Sequence, residues 1–347
     1  MNFTDFCVNK DVTVRDAMKK LDTVQKKILF ILDGEKILAS LTDGDIRRFL
    51  LDGGELNSPS ILAGNKNCRV ATDLQNAKSL YHGKNFIAIP IVDKDRNLVD
   101  VYFGDEKHKS NVKLNIPVII NAGGKGTRLD PYTRVLPKPL IPIGDLPIIE
   151  HIMQKYNDFG CNEYHVIVNY KKQLIKAYFN ESENANEYNI SWHDEDRPLG
   201  TGGGLSLLKD KINSTFFFTN CDILLDSNYD SMLRFHRENK NAVTMICAYK
   251  NITIPYGVIE MGQNGAIKAM KEKPELSFLT NTGMYIVEPE VLSFIKPDVP
   301  VGFPDVIDAV KKAGGNVAVY PVSEHEWMDM GQMTELEQMR KRICGEI

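Results

Sequence analysis

The chain has 347 residues, 43% hydrophobic and 25% charged, with a formal net charge of -4. That length suffices for two domains with their own cores, and the slightly acidic balance excludes a global attraction to nucleic acid, so any anion must be held by local basic clusters. No apolar run approaches the roughly 18 residues of a membrane-spanning helix, and the start "MNFTDFCVNKD" lacks the basic end and apolar centre of a signal peptide. A cytoplasmic protein with no membrane partner is expected. The six cysteines, Cys7, Cys68, Cys161, Cys221, Cys247 and Cys344, are far apart with no C-x-x-C pair. That spacing reads as reduced thiols, not a disulfide frame or a zinc site.

In chain order, a helical stretch "VRDAMKKL" precedes "ILFILDGEKILASLTDGDIRRFL" (28–50), and a second, "LQNAKSLY", precedes "FIAIPIVDKDRNLVDVYFGDE" (86–106). Each long segment reads as strand, acidic turn, strand. Ala17 and Ala77, Ile31 and Ile91, and Asp33 and Asp93 recur sixty residues apart. One copy could not bury its sheet alone, but two packed together could, which makes residues 1–110 a separate domain. The polar stretch "GDEKHKSNVKLN" (104–115) reads as a linker to a second domain, 111–347.

The first domain resembles a tandem CBS-domain pair through "LTDGDIRR" (41–48). In that family a Thr or Ser three residues before an Asp holds the ribose of an adenine nucleotide, and the resemblance places Thr42 and Asp45 in those roles. The same spacing is also an ordinary helix-capping arrangement, so both readings stand. The second copy has Phe103 and Glu106 at these positions, and its hydroxyl is missing.

From Asn115 onward, short apolar strands alternate with helical stretches whose apolar residues fall at three and four spacings: "PVII", "LPIIEHIMQKYNDFG", "EYHVIVNY", "KKQLIKAYF", "NISWH", "STFFFTNCD", "YDSMLRFHRENK", "AVTMICAYK". This predicts an α/β domain with a mostly parallel sheet, helices on both faces and ligands at the carboxyl ends of strands. "NAGGKGTRLDPYTRVLPKPL" (121–140) leaves "PVII" at such an end, and Asp222 leaves "FFFTN" at another. Glycines followed by Lys125, Arg128, Arg134 and Lys138 suit a bound polyanion. Neither a dinucleotide fingerprint nor a P-loop fits this spacing, although "PKP" alone could be a surface turn.

These motifs resemble the sugar-1-phosphate nucleotidyltransferases: G-G-x-G-T-R-L at 123–129, P-K-P at 137–139, "PLGTGGGL" (198–205), Asp222, "YGVIE" (256–260), "EKP" (272–274), "NTGMYI" (281–286) and "WMDMG" (327–331) occur in that family's order. Two departures are Asn121, where an aliphatic residue is common, and Cys221, where glycine often precedes the metal Asp. The resemblance implies a Rossmann-like sheet on which a sugar-1-phosphate oxygen attacks the α-phosphorus of an NTP. Pyrophosphate leaves and an NDP-sugar forms. The nucleophile is already an anion, so alignment and charge neutralisation carry the catalysis.

The implied roles are Arg128 and Lys138 as catalytic cations, with Arg128 on the departing pyrophosphate, and Asp222 and Asp329 as Mg2+ ligands. Asp226 and Asp230 are nearby alternatives to Asp222. Ala122, Gly123, Gly124, Lys125, Gly126, Thr127 and Gly200 would hold the NTP, the base lying against Ala122 and in room left by Gly200. Gly257, Glu272, Lys273 and Asn281 would hold the sugar phosphate. A CBS pair ahead of such a transferase resembles the guanylyltransferases that act on glucosamine-1-phosphate in bacterial legionaminic acid biosynthesis. GTP, glucosamine-1-phosphate and a homodimer are therefore expected. Mannose-1-phosphate guanylyltransferase, glucose-1-phosphate uridylyl- or thymidylyltransferase, and a non-catalytic nucleotide or NDP-sugar sensor remain as alternatives.

Overall fold

In a computed structural model the described residues are 3–24, 26–81, 87–103, 113–182, 184 and 187–345. Most of the linker, residues 104–112, and with it Glu106, lies outside them. The chain divides into two compact units, Met1–His108 and Lys109–Ile347.

In the first unit, β1 (Cys7–Asn9), α1 (Val14–Thr23), β2 (Ile28–Asp33), β3 (Lys36–Thr42) and α2 (Asp43–Leu51) are followed by α3 (Leu74–Tyr81), β4 (Ala88–Val92) and β5 (Leu98–Phe103). Strand β1 runs parallel to β2, which turns back on β3, while β4 and β5 form a separate hairpin. Thr13 caps α1 by accepting from the Asp16 N–H, and Val14, Ala17 and Leu21, one turn apart, carry its buried face. The sixty-residue repeat is visible in the burial of Ala17 with Ala77 and of Ile31 with Ile91. The two hairpins meet turn to turn, Ile37 N–H donating to Arg96 O (3.1 Å) and Leu98 N–H to Glu35 O (2.9 Å).

The second unit runs through β6 (Val118–Asn121), α4 (Tyr132–Val135), β7 (Pro142–Ile143), β8 (Leu146–Pro147), α5 (Ile148–Asn157), β9 (Glu163–Val168), α6 (Lys172–Glu181), β10 (Asn189–Asp194), α7 (Gly200–Gly203), β11 (Phe216–Asn220) and β12 (Ile223–Leu225). It continues with α8 (Tyr229–Glu238), β13 (Val243–Thr253), β14 (Val258–Met261), β15 (Ile267–Lys271), β16 (Glu275–Val287), α9 (Phe303–Lys312), β17 (Val317–Ser323), β18 (Trp327–Asp329) and α10 (Met333–Cys344).

Seven strands form one sheet in the order β10-β9-β6-β11-β16-β13-β17. Only β16 opposes its neighbours, so the sheet is mostly parallel as expected. Alternate side chains of β6 and β11 serve two cores: Val118, Ile120 and Phe217 pack on one face, Ile119, Phe216 and Phe218 on the other. A strand covered on both faces has to be apolar at every position, which is why "PVII" and "FFF" read as unbroken runs. Beyond the sheet, β13 and β16 extend as a ladder to Thr253 and Glu275, and the β14–β15 ribbon leaves Ile259, Met261, Ile267 and Met270 exposed.

Candidate active site

Strands β6 and β11 are neighbours and parallel, so their carboxyl ends lie side by side, with Asn121 opposite Asn220. The chain leaves β6 through Ala122, whose N–H donates to Ile167 O (2.8 Å) and whose side chain is fully buried in the core. Ala122, against which a base is expected to lie, is thus buried at the start of the loop. Gly126 has φ +65°, and a Cβ on it would stand 3.0 Å from both the Lys138 Cβ and the Thr133 Cγ2. A glycine is what lets the loop fold down on the "PKP" turn. That turn holds Lys138 at 7% exposure, where its ammonium forms an ion pair with Asp222. A lysine buried this far is stable only with such a partner.

Asp222 follows the end of β11 and precedes β12, which pairs antiparallel with β18 so that Ile223 faces Asp329. Met330 N–H donates to Asp222 O (2.9 Å), and this short ladder brings the two carboxylates together. Burial pushes the Asp329 carboxyl up to about 6 and the Asp222 charge adds to this, while Lys138 and Arg128 pull it down. The Asp329 Oδ1 is buried with no hydrogen-bond partner. An orphaned carboxylate oxygen beside a second carboxylate fits a hard cation, and Mg2+ takes one or two protein carboxylates with water and phosphate oxygens. Among the described residues no group of three or more His, Cys, Asp or Glu side chains converges on a metal.

The neighbouring acids are committed elsewhere, Asp226 to Lys155 (2.7 Å) and Asp230 to the first turn of α8. Cys221 packs in the core. Asn121 reaches across to α7, its Nδ2 donating to Thr201 O (3.4 Å).

Gly200 has φ +80°, and the place of its missing side chain is taken by the Val301 carbonyl, 2.7 Å from an added Cβ. The room expected there for a flat ring is therefore filled by backbone. Strand β16 carries Asn281 just beyond the end of β11, with Thr219 opposite Met284. The Asn281 amide is engaged locally, donating to the Tyr285 hydroxyl (2.7 Å) and accepting from Gly283 N–H (3.0 Å). Gly257, Glu272 and Lys273 lie exposed, the Glu272 Oε2 only 3.0 Å from where a Gly257 Cβ would stand. Among the described residues no hydrogen bond joins these three to the Lys138–Asp222 pair.

One residue of the site escaped the sequence reading. Glu195, in "HDEDRPLG", is 4% exposed, and its Oε1 is buried without a hydrogen-bond partner. An acid within an acidic run reads as solvated surface. The only sequence signal lay in the glycines at 123 and 204, which admit it.

The glycine loop and Lys138 lie beside Asp222, just past the end of β11, and the short β12–β18 ladder brings Asp329 to the same place. The chain belongs to the nucleotidyl transferase family, whose match covers residues 117–345. It is 33% identical over 219 residues to the mannose-1-phosphate guanylyltransferase catalytic subunit beta of Dictyostelium discoideum, covering 62% of this chain and 60% of that protein. It is 30% identical over 250 residues to the UTP–glucose-1-phosphate uridylyltransferase of Synechocystis, covering 65% and 63%. The chain thus spans about six tenths of the length of these curated relatives. The fold matches HddC from Yersinia pseudotuberculosis with a TM-score of 0.53 at 21% identity, covering 66% of this chain and 99% of that one.

Proposed function

We propose that the protein transfers a nucleoside monophosphate from an NTP to a sugar-1-phosphate and releases pyrophosphate, with GTP and glucosamine-1-phosphate as substrates in the legionaminic acid route. The observation that carries the transferase reading is the buried Lys138–Asp222 pair beside the unpartnered Asp329 oxygen, below a glycine loop. Two polyanions repel, and a site that holds fixed positive charge at the reacting phosphorus lowers that barrier without a base. In this reading Asp222 and Asp329 would hold Mg2+, which when bound would supply further positive charge to offset that of the phosphates. Lys138 neutralises oxygens at the α-phosphorus, Arg128 holds the leaving pyrophosphate, and the backbone N–H groups of Gly123, Gly124 and Gly126 cradle phosphates. GTP is favoured by the guanylyltransferase relative, although a uridylyltransferase is also similar. The test is pyrophosphate release with each NTP, Mg2+ and a panel of sugar-1-phosphates. A clear preference for UTP or dTTP rejects the guanylyl reading, and no release with any pair rejects the transferase.

For the N-terminal unit we propose an adenine-nucleotide site of CBS type. A cavity of about 370 Å³ is lined by Ser40, Thr42, Asp45, Asn65 and Arg69 among others, and its polar rim supports the reading. Asp45 is, however, engaged in capping, so a ribose would have to displace those bonds. Nucleotide bound there is expected to tune the transferase, typical coupling being roughly 5- to 150-fold in affinity. Calorimetry of AMP, ADP and ATP against wild type and Asp45→Ala, with and without GTP, tests both site and coupling. No binding by any of the three leaves the unit an assembly module of the expected homodimer.

A further inference from the structure

We propose that Lys171 is a positioning residue: together with Tyr170 it straps the loop that carries Arg128 to the end of β9, so that the phosphate cradle is shaped before a nucleotide arrives. This role rests on the transferase reading above.

The segment from Gly123 to Val135 has little of its own to hold it in place. Its regular structure is one 3-10 turn, Thr127–Leu129, and the four-residue α4, and a helix that short does not stand alone. Only Gly123, Leu129 and Thr133 of the segment are buried. Inside it, the Thr133 hydroxyl donates to Gly126 O (3.1 Å), and the Arg134 guanidinium is taken up by both oxygens of Asp130 (2.5 and 2.6 Å). The loop therefore closes on itself as one piece, and its position depends on what ties that piece to the sheet.

Tyr170 and Lys171, two residues past β9, supply ties. The Tyr170 N–H donates to Gly123 O (3.4 Å) and its hydroxyl to Thr133 O (3.1 Å). The Lys171 ammonium lies over the Tyr170 ring, 5.4 Å from its centroid, and donates to Arg134 O and to Val135 O (2.8 Å). Two consecutive side chains thus hold three carbonyls at the end of α4, where a cation also meets the negative end of the helix dipole. Thr133 passes the constraint on, because the carbonyl that Tyr170 holds and the hydroxyl that holds Gly126 belong to one residue. Arg128 follows two residues later.

A loop that wanders has to be ordered by the nucleotide, and the apparent affinity then falls with the fraction of time the loop spends in place. Cutting the strap should therefore raise the nucleotide KM and leave the sugar-1-phosphate KM, which depends on other segments, as it was. The backbone of Lys171 allows this effect to be separated from stability. Its φ is +50°, a left-handed conformation that glycine adopts without steric cost. Lys171→Gly removes the ammonium while relieving the backbone.

The test compares the full-length wild type with Lys171→Gly, Lys171→Arg and Tyr170→Phe. It reads steady-state pyrophosphate release with the NTP that wild type uses best, calorimetry of that NTP with Mg2+, and hydrogen exchange across residues 127–136. Lys171→Gly should raise the nucleotide KM and Kd by about 5- to 10-fold, as for loss of one net hydrogen bond. It should also speed exchange across 127–136 and keep a denaturation midpoint no lower than wild type. Lys171→Arg, whose guanidinium can reach the same carbonyls, should restore both KM and exchange, and Tyr170→Phe should act like Lys171→Gly but more weakly. Wild-type nucleotide KM and unchanged exchange in Lys171→Gly overturn the strap and leave the transferase reading intact. A fallen midpoint with equal rises in both substrates' KM also overturns it, since that is the mark of a purely structural lysine. A wild type that releases no pyrophosphate with any NTP overturns the transferase reading and the positioning role with it. Should Lys171→Gly not fold, Tyr170→Phe decides: unchanged nucleotide KM and exchange in that variant refute the strap.

Discussion

Asp45 in the N-terminal unit and Asp329 in the transferase unit are both carboxylates at the edge of a small sheet, and their surroundings treat them in opposite ways. The Asp45 Oδ2 accepts from the Thr42 N–H (2.9 Å) and the Thr42 hydroxyl (2.6 Å), and its Oδ1 pairs with Arg48. Together with the Asp45 N–H donating to the Thr42 Oγ1, this is a complete capping box at the start of α2. The Asp329 carboxyl has an unpartnered buried oxygen and is raised to about 6. The fold completes the first carboxylate's bonds and leaves the second's open. Open bonds in a buried place are the stronger sign of a missing partner, whereas a residue matched to a binding motif can be fully occupied by its own helix.

The contrast can be broken most forcefully at Asp222. Asp222→Asn keeps the shape but removes the charge that Lys138 pairs with, so turnover should drop by roughly 10²–10³, and the ammonium left buried without its partner should lower the denaturation midpoint of the still folded protein. Pyrophosphate release near the wild-type rate would falsify the assignment. Lys138→Ala should act in the same direction, lowering kcat far more than it raises the nucleotide KM, because its contact forms at the reacting phosphorus; steady-state kinetics separates the two.

Glu195 offers a stability test of the same idea. Its native value of about 7 lies above the ordinary 4.5, so the folded state keeps a proton that the unfolded chain releases between those values. Stability from this group is therefore full below pH 4.5 and lost as pH rises through 7. The loss amounts to at most about 3 kcal/mol. Glu195→Gln lacks this slope, and urea denaturation of both proteins at pH 5 and pH 8 should show the variant gaining on wild type at the higher pH. Parallel curves would mean that the carboxyl is already satisfied.

The smallest effect belongs to the closed carboxylate: Thr42→Ala should cost about 1 kcal/mol of N-terminal-unit stability through the lost cap, read by hydrogen exchange along α2. If instead α2 is unaffected while adenine-nucleotide binding disappears, capping is not the main duty of Thr42 and the contrast with Asp329 narrows.

Much of this was legible in the residues. The alternation of apolar runs and helical spacings gave the layered transferase unit, and motif order placed Gly123 to Leu129, Lys138, Asp222 and Asp329, because local periodicity and glycine chemistry are written locally. Strand β16 was harder. Its motif "NTGMYI" was visible, but its antiparallel insertion between β11 and β13 depends on pairing partners tens of residues away in either direction. The surroundings of Gly200 and Ala122 were not legible, since only the packed structure shows the Val301 carbonyl beside the one and the core around the other. Glu195 was missed for the same reason: burial of an acid is a property of what folds over it.

The short ladder between β12 and β18 has a consequence in time. Asp222 leaves the ribosome more than a hundred residues before Asp329, and at about 5–20 residues per second the nascent chain spends several seconds or more with one half of the carboxylate pair made and the other not. Most of the sheet can assemble during that interval, but β18 and the second carboxylate cannot. A chain that stops short of Trp327 would therefore lack the partner of β12, the second carboxylate and the α10 residues Leu336 and Met339 that fill the core, and the carboxylate pair is made only by the last stretch of synthesis.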